Sequence, residues 1–407
     1  MDFNLQHAIL NLKNGDTLYI PPGTYYCAEP LNVGADDIKI CGGGKTTHII
    51  YTREQTDEYT SETASLFVFK NGIKNVTLKD LKLQYTGFYF PEFGQSYDGK
   101  VNGILFGICE NILIDTVELL GFNANAIFVS GPSKDHYSKD FRVTNSYLHH
   151  NRVAGVLYGY VDGIKITNCV LEYMGSQLDG GTGYGCAGSS GGHPLNIEVR
   201  DNRANYNWRK GIDLHAGENA VIENNICRGN RLYGIYTEGP RTTNVIIRGN
   251  IISDMYKEKL DIGEPYTWIN GISVGTYSEN NEKAYNYEIT GNIITSFGLK
   301  EGNAYPIYVY NKFAFGKINI SDNIIDCDYI TNVITIPGTE KEPIDFKVKI
   351  ENNRFMSKNC ASNIIHAGKF TELSIANNII TTDVQNDPVI YTNKNTGVAI
   401  KNNYIGG

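Results

Sequence analysis

Apolar and polar positions along this chain repeat with one signature: apolar, any, apolar, any, any, asparagine, as in Ile197-Glu198-Val199 before Asn202. Alternating apolar residues indicate short β-strands with one buried face, and the polar residue after them marks a turn. Repeated copies, spaced 23 to 42 residues apart, are typical of a coil of stacked rungs. The asparagines that end the copies are Asn202, Asn225, Asn250, Asn292, Asn323, Asn353, Asn378 and Asn403.

Weaker copies precede these eight and bring the expected total to about 12 rungs, each buried only against its neighbours. Their apolar pairs are Val76/Leu78, Ile112/Ile114, Phe141/Val143 and Ile164/Ile166. The asparagines are predicted to be structural. Asparagine tolerates a left-handed turn conformation, and stacked side-chain amides can hydrogen-bond along the coil.

The first 26 residues of the chain resemble the start of a known protein superfamily. An amphipathic helix over residues 3–10, followed by the sequence GDTLYIPPGTYY at residues 15–26, resembles the opening of the pectate-lyase-like right-handed parallel β-helix superfamily. That superfamily includes polysaccharide lyases, C5-epimerases and phage tail-spike depolymerases. The resemblance implies an all-β fold, a single-stranded right-handed parallel β-helix (solenoid) with a short N-terminal capping helix. A lid of this kind covers apolar side chains and unpaired strand edges at the end of a coil.

The expected organisation is one structural domain, with the cap helix and first strands in residues 1–34 and the β-helix in residues 35–407. Four segments exceed what a rung requires and are predicted to be inserted loops, at about 86–100, 130–140, 175–195 and 254–286. Loops that project from a rigid coil commonly shape a binding site.

Composition and charge limit the kinds of partner that this protein is expected to bind. The net charge of −8 disfavours a nucleic-acid partner, and 28 tyrosines suit sugar binding. Membrane insertion is not expected, because no apolar run approaches the roughly 18 residues of a span. No secretory signal is visible at the first residues, yet the resemblance implies an extracellular or virion-associated protein. It also leaves open a homo-oligomer such as the trimers of tail-spike proteins.

Eight cysteines are scattered without a C-x-x-C pair, so they are predicted to be reduced core residues rather than zinc ligands. A bridge between Cys27 and Cys41, the one close pair, is a weaker alternative. No cofactor and no metal site are expected. Calcium is conceivable for this class of protein, but no ligand motif in the chain supports it.

A second strand pattern, aligned from rung to rung, indicates which residues are candidates for catalysis. Each rung contains a strand of the form small-apolar-x-apolar-x, and because alternate strand residues face opposite sides, the x positions form two outward columns. One column is predicted to contain Leu105, Phe128, Leu157, Asp213, Tyr236, Ser273 and Tyr308, and the other Gly107, Ser130, Gly159, His215, Glu238, Gly275 and Tyr310.

Titratable polar groups in these columns are confined to two adjacent strands, and these four residues are the predicted catalytic set: Asp213, His215, Tyr236 and Glu238. A carboxylate beside an imidazole fixes its tautomer. Strand spacings place His215 about 4.8 Å from Glu238, and Asp213 roughly 8 Å from Glu238, a separation that fits an inverting glycosidase pair.

Further residues are predicted to bind the substrate. Those just before the two strands could reach a carboxylate or hydroxyl, the two tyrosines further along could stack on sugar rings, and an aspartate in the glycine-rich loop could assist hydrolysis. They are, in that order, Arg209, Lys210, Arg231 and Tyr233, then Tyr308 and Tyr310, then Asp179.

Asp213-Leu214-His215 is similar to the Asp-x-His strand element of the mannuronan C5-epimerases, which are related to some alginate lyases, although Leu214 stands where that family has proline. The resemblance implies that His215 is the base, Tyr236 the acid, and Arg209 or Lys210 the group that neutralises the substrate carboxylate. Proton abstraction α to a carboxylate needs such a charge, because the developing enolate is dianionic.

Three functions remain open. The favoured one is an enzyme that cleaves a uronate-containing polysaccharide by β-elimination in a groove on the β-helix face. The second is an inverting glycoside hydrolase that uses Asp213 and Glu238 as acid and base. The third is a non-catalytic glycan-binding or phage-adhesion rod, which would use the tyrosines and tolerate the loss of Asp213.

Overall fold

The computed structural model describes residues 3–56, 58–87, 99–176, 182–239, 242–260, 266–275, 284–310, 315–337, 344–368, 370–383, 389–393 and 398–406. The chain divides into two compact units, Met1–Arg209 and Lys210–Gly407. Among the described residues nearly all regular structure is β-strand, and the strands pair in parallel with the equivalent strands of the neighbouring rungs.

Unit 1 begins with a short helix, α1 (Leu5–Leu10), which buries Leu5 and Ile9. Asn4 caps it by accepting a hydrogen bond of 2.9 Å from the backbone N–H of His7, which satisfies one of the free donors of a helix N-terminus. A second helix, α2 (Ser61–Ala64), lies between strands. The predicted N-terminal helix is therefore present.

The strands of unit 1 form a larger and a smaller sheet. In the larger sheet they are β1 (Thr17–Tyr19), β2 (Gly23–Cys27), β4 (Lys39–Tyr51), β6 (Ile73–Tyr85), β8 (Cys109–Leu120), β10 (Ser138–Thr144), β11 (Tyr147–His149), β13 (Val161–Thr167), β14 (Val170–Glu172), β16 (Leu195–Arg200) and β17 (Arg203–Asn205). In the smaller sheet they are β3 (Leu31–Val33), β5 (Phe67–Phe69), β7 (Ile104–Phe106), β9 (Asn125–Val129), β12 (Ala154–Tyr158) and β15 (Tyr184–Gly188).

Unit 2 has the same two kinds of sheet. The larger contains β19 (Glu218–Glu223), β20 (Ile226–Arg228), β22 (Thr243–Arg248), β23 (Ile251–Lys259), β25 (Tyr285–Thr290), β26 (Ile293–Glu301), β28 (Gly316–Ser321), β29 (Ile324–Ile330), β31 (Ile344–Glu351), β32 (Arg354–Cys360), β34 (Phe370–Ala376), β35 (Ile379–Thr382), β37 (Val398–Lys401) and β38 (Tyr404–Gly406). The smaller contains β18 (Lys210–Asp213), β21 (Tyr233–Glu238), β24 (Trp268–Gly275), β27 (Asn303–Tyr310), β30 (Ile334–Ile336), β33 (Ile365–Ala367) and β36 (Ile390–Thr392).

Side chains that alternate along the strands build the core. In β22, Val245 and Ile247 are buried and the residues beside them are not, and the next strand of the sheet repeats the pattern with Tyr287 and Ile289. Each rung thus buries apolar area only against the rungs beside it, as the repeat predicts. The total of about 12 rungs remains a prediction.

The repeated asparagines of unit 2 form a hydrogen-bonded ladder, as predicted. From Asn225 to Asn378, each side-chain amide donates to the side-chain oxygen of the next asparagine at 2.9–3.0 Å. The same oxygen also accepts the preceding asparagine's backbone N–H. The left-handed turn conformation falls elsewhere than predicted, on the residue before each ladder asparagine, as at Asn224 (φ 56°) and Asp322 (φ 59°).

The segments predicted as loops contain strand as well. The glycine-rich segment at 175–195 includes β15, and 254–286 includes the end of β23 and all of β24. Residues 88–98, 177–181 and 276–283, which belong to three of these segments, lie outside the described residues. All eight cysteines are free thiols, so no disulfide joins Cys27 to Cys41. No helix among the described residues is long and apolar enough to cross a membrane.

Candidate active site

Four neighbouring strands of the smaller sheet in unit 2 carry the site. In β18, β21, β24 and β27 the register pairs Asp213 with Tyr236, Tyr236 with Ser273, and Ser273 with Tyr308. This is the order predicted for the first column. The shared register follows from the rung repeat, because equivalent strand positions of successive rungs must lie side by side.

Asp213 lies beneath the surface in an ion pair. Its Oδ2 is 3.0 Å from Nζ of Lys210, and the two side chains are only 2% and 4% exposed. Nζ of Lys210 also lies 3.3 Å from the centre of the Tyr236 ring. This cation–π contact partly compensates the ammonium group for the hydration that it loses on burial. Lys210 is therefore a buried partner of Asp213, and not the substrate-facing cation that the sequence predicted.

His215 lies two residues beyond the end of β18, because the strand ends at Asp213 and does not continue to the histidine. Its Nδ1 lies 3.5 Å from Oδ2 of Asp213, and its side chain is 26% exposed. The chain stays in place beyond the strand because the backbone N–H of Leu214 donates to the Tyr236 carbonyl at 2.7 Å. A buried carboxylate facing Nδ1 leaves Nε2 as the ring nitrogen that can accept a proton.

Glu238 ends β21 and is bound by a neighbour that was predicted only as a small residue. Its Oε1 accepts a hydrogen bond from Oγ of Ser273, and that Oγ accepts one of 3.2 Å from Nδ2 of Asn270. Asn270 and Ser273 are 3% and 0% exposed, so the Glu238 carboxyl group is bound by a buried pair of polar side chains. The spacing Asn-x-x-Ser on one strand was the available signal for this relay.

The pKa values of the two carboxyl groups, Asp213 and Glu238, are shifted in opposite directions. Burial tends to raise the pKa of Asp213, but Lys210 and His215 outweigh it and hold that pKa below the usual range. Burial raises the pKa of Glu238 to about 7, against the opposing effects of Ser273 and Lys210. Asp213 is therefore ionised at neutral pH, while Glu238 is protonated in a large fraction of molecules.

An aromatic cluster flanks the site. Tyr233 and Tyr236 are buried with ring centres 4.9 Å apart, and Trp268 donates a hydrogen bond of 3.0 Å from Nε1 to the Tyr233 hydroxyl. The rings of Tyr236 and His215 are 5.7 Å apart. With only 9% of Tyr236 exposed, this side chain is packed rather than outward-facing. Tyr233 is likewise a packing residue, not an exposed sugar ligand.

The remaining predicted residues are distributed more widely. Tyr308 and Tyr310 are half-buried on β27, and the Tyr308 ring lies 5.2 Å from that of Tyr305. Burial raises the pKa of Tyr308 to about 12. Arg231 is 4% exposed, and this burial is unsuited to the predicted contact with substrate.

Two predicted residues cannot be assigned to this site. Arg209 belongs to unit 1, where Nη1 lies 3.4 Å from the Tyr184 hydroxyl. Asp179 lies outside the described residues. In the part of the chain that the structure describes, no group of three or more His, Cys, Asp or Glu is arranged to hold a metal ion.

Residues 102–325 match the family described as the right handed beta helix region. The chain belongs to this family, and its fold is the right-handed parallel β-helix that the opening sequence resembles. A 210-residue segment is 26% identical to the uncharacterized protein YclG of Bacillus subtilis. That match covers 48% of this chain and 33% of YclG, so the chain spans a third of this relative's length.

Solved structures similar to this chain share its fold. The A-module of the Azotobacter vinelandii mannuronan C-5 epimerase AlgE4 is 15% identical with a TM-score of 0.53, over 97% of this chain and 94% of the module. A GH87 alpha-1,3-glucanase from Streptomyces thermodiastaticus is 14% identical with a TM-score of 0.53, over 99% and 64%. A mutant tailspike protein of E. coli bacteriophage HK620, in complex with a pentasaccharide, is 13% identical with a TM-score of 0.57, over 98% and 75%.

Proposed function

We propose that this chain is a carbohydrate-active enzyme, extracellular or virion-associated, that cleaves a uronate-containing polysaccharide by β-elimination. Its similarity to proteins named as an epimerase, a glucanase and a tailspike bound to a pentasaccharide supports a glycan as the substrate. The observation that supports this reaction is a partly exposed imidazole that faces a buried carboxylate, together with a second carboxyl group whose pKa burial raises to about 7.

His215 is the proposed base. Its side chain is partly exposed, and Asp213 faces Nδ1, so Nε2 is free to take the proton on the sugar carbon next to the carboxylate. Asp213 is a positioning residue, because at 1% exposure and in contact with Lys210 it does not reach the substrate. Lys210 in turn keeps Asp213 ionised.

Glu238 is the proposed acid. As His215 removes the ring proton, the electron pair forms a carbon–carbon double bond and the bond to the glycosidic oxygen breaks. The departing oxygen takes the proton from Glu238, which is available because burial raises its pKa to about 7. Glu238 replaces Tyr236 in this role, since the Tyr236 ring is covered by Lys210 and its aromatic neighbours.

Inverting hydrolysis is the second candidate, and one observation favours it. Two carboxyl groups whose pKa values are shifted apart are typical of a glycosidase acid and base. Asp213 would have to activate water directly, however, and its burial against Lys210 and His215 makes that role less suitable. A glycan-binding rod without catalysis is the outcome if neither reaction occurs.

A panel of acidic and neutral polysaccharides separates these functions. Reaction products are followed by the ultraviolet absorbance of an unsaturated uronate and, in parallel, by reducing ends. Both signals rising together on an acidic polymer supports β-elimination. Reducing ends without the absorbance would exclude β-elimination and support hydrolysis, and binding with neither signal would favour a glycan-binding rod.

A further inference from the structure

A second groove lies on the outer face of the larger sheet in unit 2, with a cavity volume of about 740 Å³. Six strands contribute to it: β22, β25, β28, β31, β34 and β37. At about 4.8 Å per strand step, five steps make the groove roughly 24 Å long. It shares no residue with the candidate active site, so its ligand has to be argued from its own side chains.

Three lysines project into this groove close together. Lys317 and Lys347 are register partners on adjacent strands, and Lys349 follows two positions later on the same face. Lys347 is paired with Glu372 at 2.6 Å, whereas neither Lys317 nor Lys349 has an ion pair with any residue in the described ranges. Like charges directly opposite one another in a sheet are destabilising, and Glu372 offsets the charge of Lys347 alone.

The rest of the lining combines apolar side chains with polar groups suited to sugar hydroxyls, and Glu288 and Glu372 place two carboxylates beside the three lysines. Nδ2 of Asn286 donates to Oδ1 of Asn244 at 2.8 Å, and Asn319 and Ser374 continue the polar surface along the next strands. Amides and hydroxyls both donate and accept hydrogen bonds, as sugar hydroxyls do. The long, open shape fits an extended chain better than a single small anion.

We propose that this groove binds an acidic polysaccharide. The carboxylates of the polysaccharide would lie between Lys317 and Lys349, and its hydroxyls would contact the asparagine side chains of the groove. This groove is proposed as a binding surface, and the proposal stands whether or not the active site performs the proposed reaction. A charge-assisted contact to carboxylate is stronger than a neutral hydrogen bond, so the two lysines are expected to provide much of the affinity.

Electrophoresis of the folded protein through gels containing polygalacturonate, alginate or hyaluronate, with dextran as the neutral polymer, tests this. The variant Lys317→Ala/Lys349→Ala should bind at least one acidic polymer about tenfold more weakly than wild type, a loss of about 1.4 kcal/mol. The matched variant Lys259→Ala/Lys358→Ala removes two exposed lysines outside the groove and should bind as wild type does. Dextran should retard none of them.

Four results would overturn the proposal. One is equal retardation of the groove variant and the matched variant, and another is an absence of retardation of wild type by every acidic polymer. The third is a change in oligomeric state of the groove variant by light scattering, which would make this surface an interface between copies of the chain. Retention of binding by His215→Ala separates this groove from the active site, and its loss there would also contradict the proposal.

Discussion

Nζ of Lys210 lies 3.0 Å from Oδ2 of Asp213, and both side chains are almost completely buried. Removing two charges from water costs several kcal/mol per ion, so such a pair is weak evidence of stabilisation. Its geometry points to another role, because the same Asp213 oxygen faces His215 at 3.5 Å. The pair keeps an ionised carboxylate fixed behind the proposed base.

Breaking this pair should be more damaging than removing it entirely. Lys210→Met leaves Asp213 buried without its counter-ion and should lower the free energy of unfolding by about 3–5 kcal/mol. The double variant Lys210→Met/Asp213→Leu should recover much of that loss, because no unpaired charge remains. Urea unfolding of the wild type, single and double variants measures the difference. Equal losses in the single and double variants would show that the two charges are not coupled.

Glu238 should set the alkaline limit of activity. As the acid it works only when protonated, so kcat/KM should fall as the pH rises through about 7. Glu238→Gln keeps an acceptor for the Ser273 hydroxyl but has no proton to give, and should be slower by about 10²–10⁴-fold. Rates measured from pH 5 to about 9 test this. A profile that stays level through neutral pH in the wild type would exclude Glu238 as the acid.

Ser273 should tune that limit without taking part in the reaction. Its hydroxyl donates to Glu238 and lowers the pKa of that group, so Ser273→Ala should move the alkaline limb to higher pH. Thr335→Val is the matched control, because Thr335 lies in the same column but donates to Asn332 at 3.1 Å instead. An unchanged profile in Ser273→Ala, or the same shift in the control, would contradict the role assigned to Ser273.

The asparagine ladder should contribute most to the free energy of unfolding at its interior positions. Asn292→Ala removes the oxygen that accepts both the backbone N–H and the amide of Asn250, and the amide that donates to the Ile247 carbonyl. Each buried group left unsatisfied costs about 1–3 kcal/mol. Asn403→Ala, at a partly exposed position, should cost less. Urea unfolding compares the two, and an equal or larger loss at Asn403 would contradict the ladder as a buried hydrogen-bond network.

The register of the site could be predicted from the sequence because the repeat itself sets it. Once the strand phase is known, Asp213, Tyr236 and Ser273 must be neighbours in a parallel sheet, and they are. The same phase located the asparagine ladder. These features depend on backbone geometry, which a regular rung pattern specifies well.

The partners of the side chains could not be predicted in the same way. Alternation places Lys210 near the start of a strand, but it does not say that the long side chain reaches forward three residues to Asp213 and packs on Tyr236. Strand spacing suggested a contact between His215 and Glu238, whereas Glu238 is bound by Ser273. Side-chain rotamers and local burial decide such contacts, and a period in the sequence carries no information on either.

The most direct test is the ultraviolet absorbance of unsaturated uronate released by wild type, His215→Ala and His366→Ala from the acidic polysaccharide that the panel identifies. His366 is a half-buried imidazole of the same sheet, in β33, and stacks on Tyr391 rather than facing a carboxylate. His215→Ala should abolish the signal while remaining folded, and His366→Ala should retain it. Full activity in folded His215→Ala would contradict the proposed site.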